Sequence, residues 1–316
     1  MKKYILQSVT CISIVSMFFA CNDFLDRDSL SQITPEVYLN EESQLAAYIN
    51  KLYPGILPSH SNSGSYGTFE LDKHTDNMAY KSYDNRYVPG QWKVGGSGGS
   101  WSFTDIFNCN YFIDNVIPKW KEGLISGSAD NIKHYIGEMY FLRAYVYFSK
   151  LQEFGDFPMI TKVLPDEKEP LIEASKRSPR NEVARFILSD LDEAISLLLE
   201  TSPDGKKNRI SKSCAQLIKS RVALFEGTWL KYFKNTAFVP NGNGWPGKDK
   251  DYNANYQFPS GSIDAEIEYF LGEAMDAAKA VADKVTLTEN SGLLQQTLAD
   301  AVNPYHDMFG TEDMSR

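Results

Sequence analysis

GEMYFLRAYVYFSKLQEFGDFPMI, residues 137–160, decides the fold of this 316-residue chain. Up to Phe154 the run is apolar on nearly every face of a helix, and such a helix has to be buried between neighbours. Gly137 and Ala144 stand seven residues apart, two turns along one side. A partner helix can therefore approach closely there, while Tyr140, Phe141, Tyr145, Tyr147 and Phe148 fill the surrounding space. The stop is equally defined: Gly155 can take the left-handed position at the helix end without a Cβ penalty, and Pro158 forbids further helix. A long helix packed on all sides fits stacked helices of repeat type.

Outward from this segment the helices come in pairs. Residues 101–120 place Phe103, Ile106, Phe107, Tyr111, Asp114 and Ile117 on one stripe, and residues 123–128 join them to the helix at 130–154 by a connection suited to an antiparallel hairpin. Ser178 is placed as the cap of the next helix, with Pro179 first and Glu182 in the first turn. Val183, Ile187, Leu191, Ala194 and Leu198 form its buried stripe. Pro203-Asp204-Gly205 ends it, and a partner starting near Ser211 buries Ala215, Ile218, Val222, Phe225 and Trp229. A last helix, 262–285, repeats the spacing with Ile267, Phe270, Leu271, Ala274 and Ala278, and a first short one, 42–53, is closed by Pro54-Gly55. Two long stretches rich in Gly, Asn and aromatic residues, 58–100 and 235–261, read as loops. The predicted fold is mainly α: tetratricopeptide-like stacked helix pairs with long irregular loops.

The N-terminus gives an address. Lys2 and Lys3 precede an apolar stretch from Tyr4 to Ala20, the charged start and hydrophobic middle of a secretory signal. Phe18 is too large for an ordinary cleavage site, whereas Cys21 directly after Ala20 suits lipidation of a thiol that becomes the mature N-terminus. Residues 1–20 are thus read as a lipoprotein signal, 21–41 as an extended tether and 42–316 as the helical domain. The formal charge of -9 disfavours nucleic-acid partners, and no basic run interrupts it. Of the 4 cysteines, Cys11 and Cys21 belong to the signal and lipid site, which leaves Cys109 and Cys214 as free thiols in helices.

The run Gly137, Glu138, Phe141, Leu142, Arg143, Ala144, Tyr147, Phe148, Leu151, Phe154, Gly155, Asp156 and Pro158 resembles the central signature of the SusD/RagB family of outer-membrane lipoproteins. Cys21-Asn22-Asp23-Phe24-Leu25-Asp26 is similar to the mature start of such proteins, and Arg221, Ala223, Gly227 and Leu230 also follow the family's order. The resemblance implies a lipid-anchored, surface-exposed protein that captures a glycan or other nutrient for a SusC-like TonB-dependent transporter. Residues 303–309, Asn303-Pro304-Tyr305-His306-Asp307-Met308-Phe309, look like the segment preceding the second half of a SusD-like protein, so the chain reads as the N-terminal part of the family, truncated at its C-terminal end.

Little points to catalysis. Carboxylate pairs arise readily among 41 acidic residues, and Asp190, Asp192 and Glu193 read as a solvated helix face. His134 and Glu138 share a helix face without any accompanying metal motif, so no metal or cofactor is expected. Glu138 and Arg143, polar on a buried helix, read as a structural hydrogen-bond or ion-pair network. For binding, the useful residues are loop aromatics, because a sugar ring offers an apolar face to a flat ring and hydroxyls to polar groups beside it. Trp92 and Trp101 flank the Gly-rich run Gly95-Gly96-Ser97-Gly98-Gly99. Asn77, Tyr83, Arg86 and Tyr87 precede it, and Trp245 sits in its own Gly-Pro loop. These residues are the candidate ligand contacts, although Trp101 opens a helical stripe and suits the core as well. A helical-repeat scaffold without a small ligand and a surface glycoside hydrolase are the alternative readings.

Overall fold

The computed structural model describes residues 38–58, 88–91, 93 and 101–287. Seven α-helices carry the fold among them: α1 Glu42–Ile56, α2 Thr104–Lys121, α3 Ala129–Phe154, α4 Lys168–Ala174, α5 Arg180–Leu197, α6 Lys212–Tyr232 and α7 Ile263–Ala282. All seven lie in the compact unit Asn40–Arg316. Strand-like pairing among the described residues is confined to two isolated bridges, Glu41 with Ser126 and Phe157 with Ser178.

The signature helix α3 is central, with Ile136, Met139, Leu142, Tyr147 and Leu151 all fully buried. It runs antiparallel to α5: Gly137 meets Leu197 and Leu198, Arg143 meets Asp190, and Tyr147 meets Phe186, so one helix counts up as the other counts down. The next pairings repeat the arrangement. Arg180 to Glu226 and Lys219 to Asp192 make α5 antiparallel to α6. Gly227 against Phe270 and Leu271, with Ser220 Oγ–H donating to the Ala274 carbonyl at 2.8 Å, makes α6 antiparallel to α7. The fold is therefore mainly α, built of stacked antiparallel helices with large and small residues interlocked. At Gly137 an added Cβ would lie 3.0 to 3.1 Å from Leu198 and Leu197, so the close approach expected of this glycine is used.

Several local expectations need correction. α1 runs through Pro54 to Ile56, because a proline two residues before the end removes one N–H without having much helix left to break. α2 begins at Thr104, leaving Trp101 outside it, and its buried stripe is Ile106, Cys109, Asn110, Phe112, Ile113 and Val116. Phe107, placed on the stripe from the sequence, is 50% exposed. The face is set by Asn110, whose side chain receives Arg143 Nη1–H at 2.9 Å and donates to the Ile160 carbonyl at 2.8 Å. Ser178 is not a helix cap. Its N–H and C=O pair with Phe157, Pro179 occupies the cap position, and the Arg180 N–H is taken by Asp156. α4 was not anticipated at all, and the loop 235–261 contains short 3-10 turns at Pro246–Asp249 and Asp251–Asn253.

Asp190 is the largest correction. Read as solvated, it is 3% exposed and accepts two bonds from Arg143, Nε–H and Nη2–H, at 2.7 Å each. Burial pushes its carboxyl above the ordinary value, against the pull of the arginine. Glu138 does sit in a network, as expected: Arg209 donates to both oxygens at 2.9 and 2.6 Å, and the Tyr53 hydroxyl donates at 2.7 Å. The Leu199 N–H points at His134 Nδ1, which leaves Nε2 to donate to Glu138 and fixes a neutral tautomer. Cys109 is buried and Cys214 half-buried, and both are free thiols.

Candidate ligand-binding cleft

The end of α3 opens onto a cleft. Gly155 has φ 67°, which turns the chain out of the helix where a side chain would be strained, and aims Asp156 away from the helix axis. The following residues are strapped down on α2 and α3. Tyr147 Oη donates to the Ile160 carbonyl at 2.9 Å and receives the Ile160 N–H at 2.7 Å, and the Val163 N–H reaches Asp114 at 2.7 Å. The bridge between Phe157 and Ser178 then brings Arg177 and Arg180 alongside Asp156.

Asp156 organises the floor. Its Oδ1 accepts the Arg180 N–H at 2.9 Å, and its Oδ2 accepts the Trp245 indole N–H at 2.7 Å. Burial pushes its carboxyl above the ordinary value, against those two bonds and the nearby arginines. Trp245 is only 3% exposed, and its ring lies so close over Gly247 that an added Cβ would fall 2.2 Å from it. Arg180 turns inward, with Nε–H and Nη2–H on the Glu226 carboxylate at 2.8 to 3.1 Å and its guanidinium 4.2 Å from the Trp229 ring centre. Asp156, Arg180, Trp229, Trp245 and Gly247 line a cavity of about 680 Å³, within the range of small-molecule sites, roughly 300–1,000 Å³.

Two other wall groups have no side-chain hydrogen bond among the described residues. Asn253 lines the cavity and is 8% exposed, yet no described residue hydrogen-bonds its side-chain amide. Arg177 lies 4.5 Å over the Trp101 ring, and its guanidinium N–H groups have no acceptor among the described residues. Phe238 and Tyr252 add half-exposed ring faces to the same cavity.

Of the candidates named from the sequence, Trp245 and Trp101 both come to this end of α3. Trp245 is a wall of the cleft, though packed rather than displayed on a loop. Trp101 stands behind it at 42% exposure, its ring edge-on to Phe154 and Phe157 at 5.0 Å and under Arg177. Asn77, Tyr83, Arg86, Tyr87, Trp92 and Cys21 lie outside the described residues. Sequence reasoning missed Arg177, Asn253, Phe238 and Tyr252: the Phe157–Ser178 bridge brings the first to the cleft, and the segment docked by Trp245 on Asp156 brings the others. It named Asp156 only as one residue of the signature run, without a role. Among the described residues no three of His, Cys, Asp and Glu gather to hold a metal, and no helix is long and apolar enough to cross a membrane.

A buried helix core and antiparallel stacking define a helical-repeat protein, and the polar-aromatic cleft is its candidate site. Residues 23–224 match the family SusD-like_3, described as "Starch-binding associating with outer membrane", and the chain belongs to that family. It is similar to SusD-like protein P2 of Formosa agariphila, 26% identical over 259 residues that make up 76% of this chain and 46% of the relative. SusD-like protein P25 of the same organism is 25% identical over 239 residues, 70% of this chain and 43% of that one. The chain thus spans less than half the length of these relatives. Among solved structures it is similar to a SusD homolog from Bacteroides thetaiotaomicron, at TM-score 0.48 and 16% identity, covering 81% of this chain and 43% of that one. A SusD-like protein from Bacteroides fragilis matches at TM-score 0.42 and 22% identity, covering 66% and 40% respectively.

Proposed function

We propose that the protein is a non-catalytic, lipid-anchored glycan-binding protein of the outer-membrane surface that delivers its ligand to a SusC-like TonB-dependent transporter for nutrient uptake. The observation that carries this reading is the cleft: ring faces beside unpartnered amide and guanidinium groups, in a chain whose family is described as starch-binding. Flat rings match the apolar faces of sugars, and the polar groups match their hydroxyls. The interior chemistry favours binding over turnover. Asp156, a half-buried carboxyl of the cleft, is engaged at both oxygens, and burial pushes the Cys109 thiol up to about 12, far from a reactive thiolate.

The proposed anchor is Cys21, with residues 1–20 as its signal. Cys21→Ala is expected to abolish lipid labelling and release the protein from the membrane fraction; lipid incorporation that persists in that variant overturns the anchor. For the ligand, titration of the full chain with an oligosaccharide panel is expected to show saturable heat. Absence of any glycan binding, with the transporter still co-purifying, would replace the glycan reading by the scaffold one. Depolymerisation of a panel member would replace it by the hydrolase. In the Gly-rich stretch of sequence before α2, Trp92→Ala is expected to weaken binding by about threefold to tenfold without moving the melting transition, as loss of one stacking face of about 0.5–1.5 kcal/mol requires. Unchanged affinity removes Trp92 from the site.

A further inference from the structure

Half of the residues lining the cleft, from Ala237 to Asn253, come from the one stretch of chain between α6 and α7. The two ends of that stretch are fixed to the helices. On the α6 side Val239 is fully buried and the Trp229 indole N–H donates to the Phe238 carbonyl at 3.1 Å. On the α7 side the Tyr256 hydroxyl donates to Asn181 Oδ1, and Arg185 Nη2–H donates to the Ser260 hydroxyl, both at 2.7 Å. Between them residues 241–256 form a loop closed at its neck, where the Asn241 side-chain N–H donates to the Tyr256 carbonyl at 3.1 Å. Asn241, with φ 60°, turns the chain into it. The loop is bonded to itself: among the described residues its backbone hydrogen bonds stay between Asn235 and Tyr256, and the Trp245 ring fills its inside, over Gly247 and 5.7 Å from the Tyr256 ring centre. A compact loop with joined ends and its own packed side chains is an Ω-loop, which can move as one piece about its neck. Among the described residues, 241–253 make one side-chain hydrogen bond to chain outside this stretch, from Trp245 Nε1–H to Asp156 Oδ2 at 2.7 Å. Lys176 stands 5.7 Å from the Tyr252 ring centre, but its ammonium is held by Glu173.

We propose that residues 241–256 are a lid that closes on the end of α3 to complete the cleft, and that Asp156 is the positioning residue that latches it there through Trp245. Asp156 acts on the lid rather than on the ligand, because its second oxygen already receives the Arg180 N–H at 2.9 Å. A hydrogen bond to a carboxylate is about twice as strong as one between neutral groups, so a single one can serve as the latch. Once it is released, the lid carries Lys250, Tyr252 and Asn253 away from Arg177 and Phe154 on the opposite wall, and the helices keep their packing. What the closed lid holds rests on the glycan-binding reading above, whereas the latch is a property of the free protein.

The test is amide hydrogen exchange on the full chain, paired with calorimetric titration against malto-, cello-, laminari- and galacto-oligosaccharides. Trp245→Phe keeps a ring inside the loop and removes the N–H. Asp156→Asn offers one acceptor oxygen to two donors and leaves the ring untouched. In Trp245→Phe the amides of 241–256 should exchange about tenfold faster than in the parent, while those of α3 and α5 keep their rates. Asp156→Asn should loosen the same segment, and combining the two should add little to Trp245→Phe alone, as expected of partners in one bond. The affinity for the best-bound oligosaccharide should fall by about tenfold in Trp245→Phe and measurably in Asp156→Asn. Parent-like exchange of 241–256 in Trp245→Phe, or acceleration spread equally over α3 and α5, overturns the latch. A loosened lid with unchanged affinity in both variants overturns the positioning role and leaves glycan binding standing. If the parent binds no probe, the glycan reading falls and the positioning role with it, whereas faster exchange confined to 241–256 still upholds the latch.

Discussion

Arg143 and Asp190 face each other at 5% and 3% exposure, and the guanidinium also reaches Asn110 and the Thr161 carbonyl. Taking two charges out of water costs several kcal/mol apiece, and the mutual attraction repays this only while both are present. Arg143→Leu should therefore destabilise by about 3–5 kcal/mol in urea unfolding, because Asp190 is left charged and alone. Adding Asp190→Leu to that variant should restore much of the loss. If the double variant is no more stable than the single one, the penalty does not come from the stranded charge. Glu266 is a second buried carboxylate, fully enclosed, and receives donors from Asn181, Arg185 and the Ser260 N–H. Burial pushes its carboxyl up, yet those hydrogen bonds win and hold it below the ordinary glutamate value. A lowered carboxylate contributes stability that is present above the unfolded value, about 4.3, and is lost as pH falls through the folded one. Glu266→Gln should thus be destabilising at neutral pH, with a difference from the parent that shrinks as pH drops below about 4. A difference independent of pH would contradict the charged state. Arg143 was legible in the sequence as a network residue because it stood polar on an otherwise apolar helix. Asp190 was not, since three acids within four positions look solvated; the clue was phase, as it falls between Ile187 and Ala194 on the buried stripe.

At the scale of the element, close packing is decided by where a Cβ has room. At Gly137 an added Cβ meets Leu197, the Leu198 side chain and the Leu198 backbone nitrogen at 3.0 to 3.1 Å, whereas at Gly272 nothing lies within 4 Å. Both glycines sit inside helices, where replacing glycine by alanine gains roughly 0.5–1 kcal/mol of propensity. Overpacking costs about 1–3 kcal/mol, so it outweighs that gain at Gly137 and is absent at Gly272. Gly137→Val should lower the melting temperature and Gly272→Ala should raise it, and thermal scans of the two variants decide the matter. Equal shifts would mean that α3 and α5 are not held at contact distance. The helices themselves were legible, because stripes such as Val183, Ile187, Leu191, Ala194 and Leu198 are all buried as their spacing predicts. The rotation of α2 was not. Weighting its aromatics brought Phe107 inward, while the partner it must satisfy, Arg143, lies on another helix and selects Asn110. The cleft was the least legible part, since Asp156, Arg177, Trp245 and Asn253 come from separate segments that only the folded chain brings together.

At the scale of the whole molecule, four buried or half-buried arginine-carboxylate pairs pin the helices to one another: Arg143 to Asp190, Arg180 to Glu226, Arg185 to Glu266 and Arg209 to Glu138. Three join helices along the stack. The fourth is different, because Glu138 also receives the Tyr53 hydroxyl, and Arg209 Nη1–H reaches Asn50 at 2.7 Å across 159 residues of sequence. α1 is thereby tied to the segment that leads into α6. Arg209→Gln should let the amides of α1 exchange with solvent well ahead of those of α3, while in the parent both sets exchange together; early exchange of α1 in the parent as well would show that the tie carries no weight. A stack whose helices touched only their neighbours could fray from an end or melt piece by piece, and here Arg185 to Glu266 already reaches past α6, from α5 to α7. Tyr48 to the Asn108 carbonyl, and Glu42 to Ser128 and Asn131, already seat α1 on residues 108–131, and the tie from Asn50 and Tyr53 to Arg209 adds a clasp from much later in the chain. For a protein leaving the ribosome from its N-terminus, α1 can settle first on residues 108–138, and the clasp closes over it only when Arg209, made more than a hundred residues later, arrives.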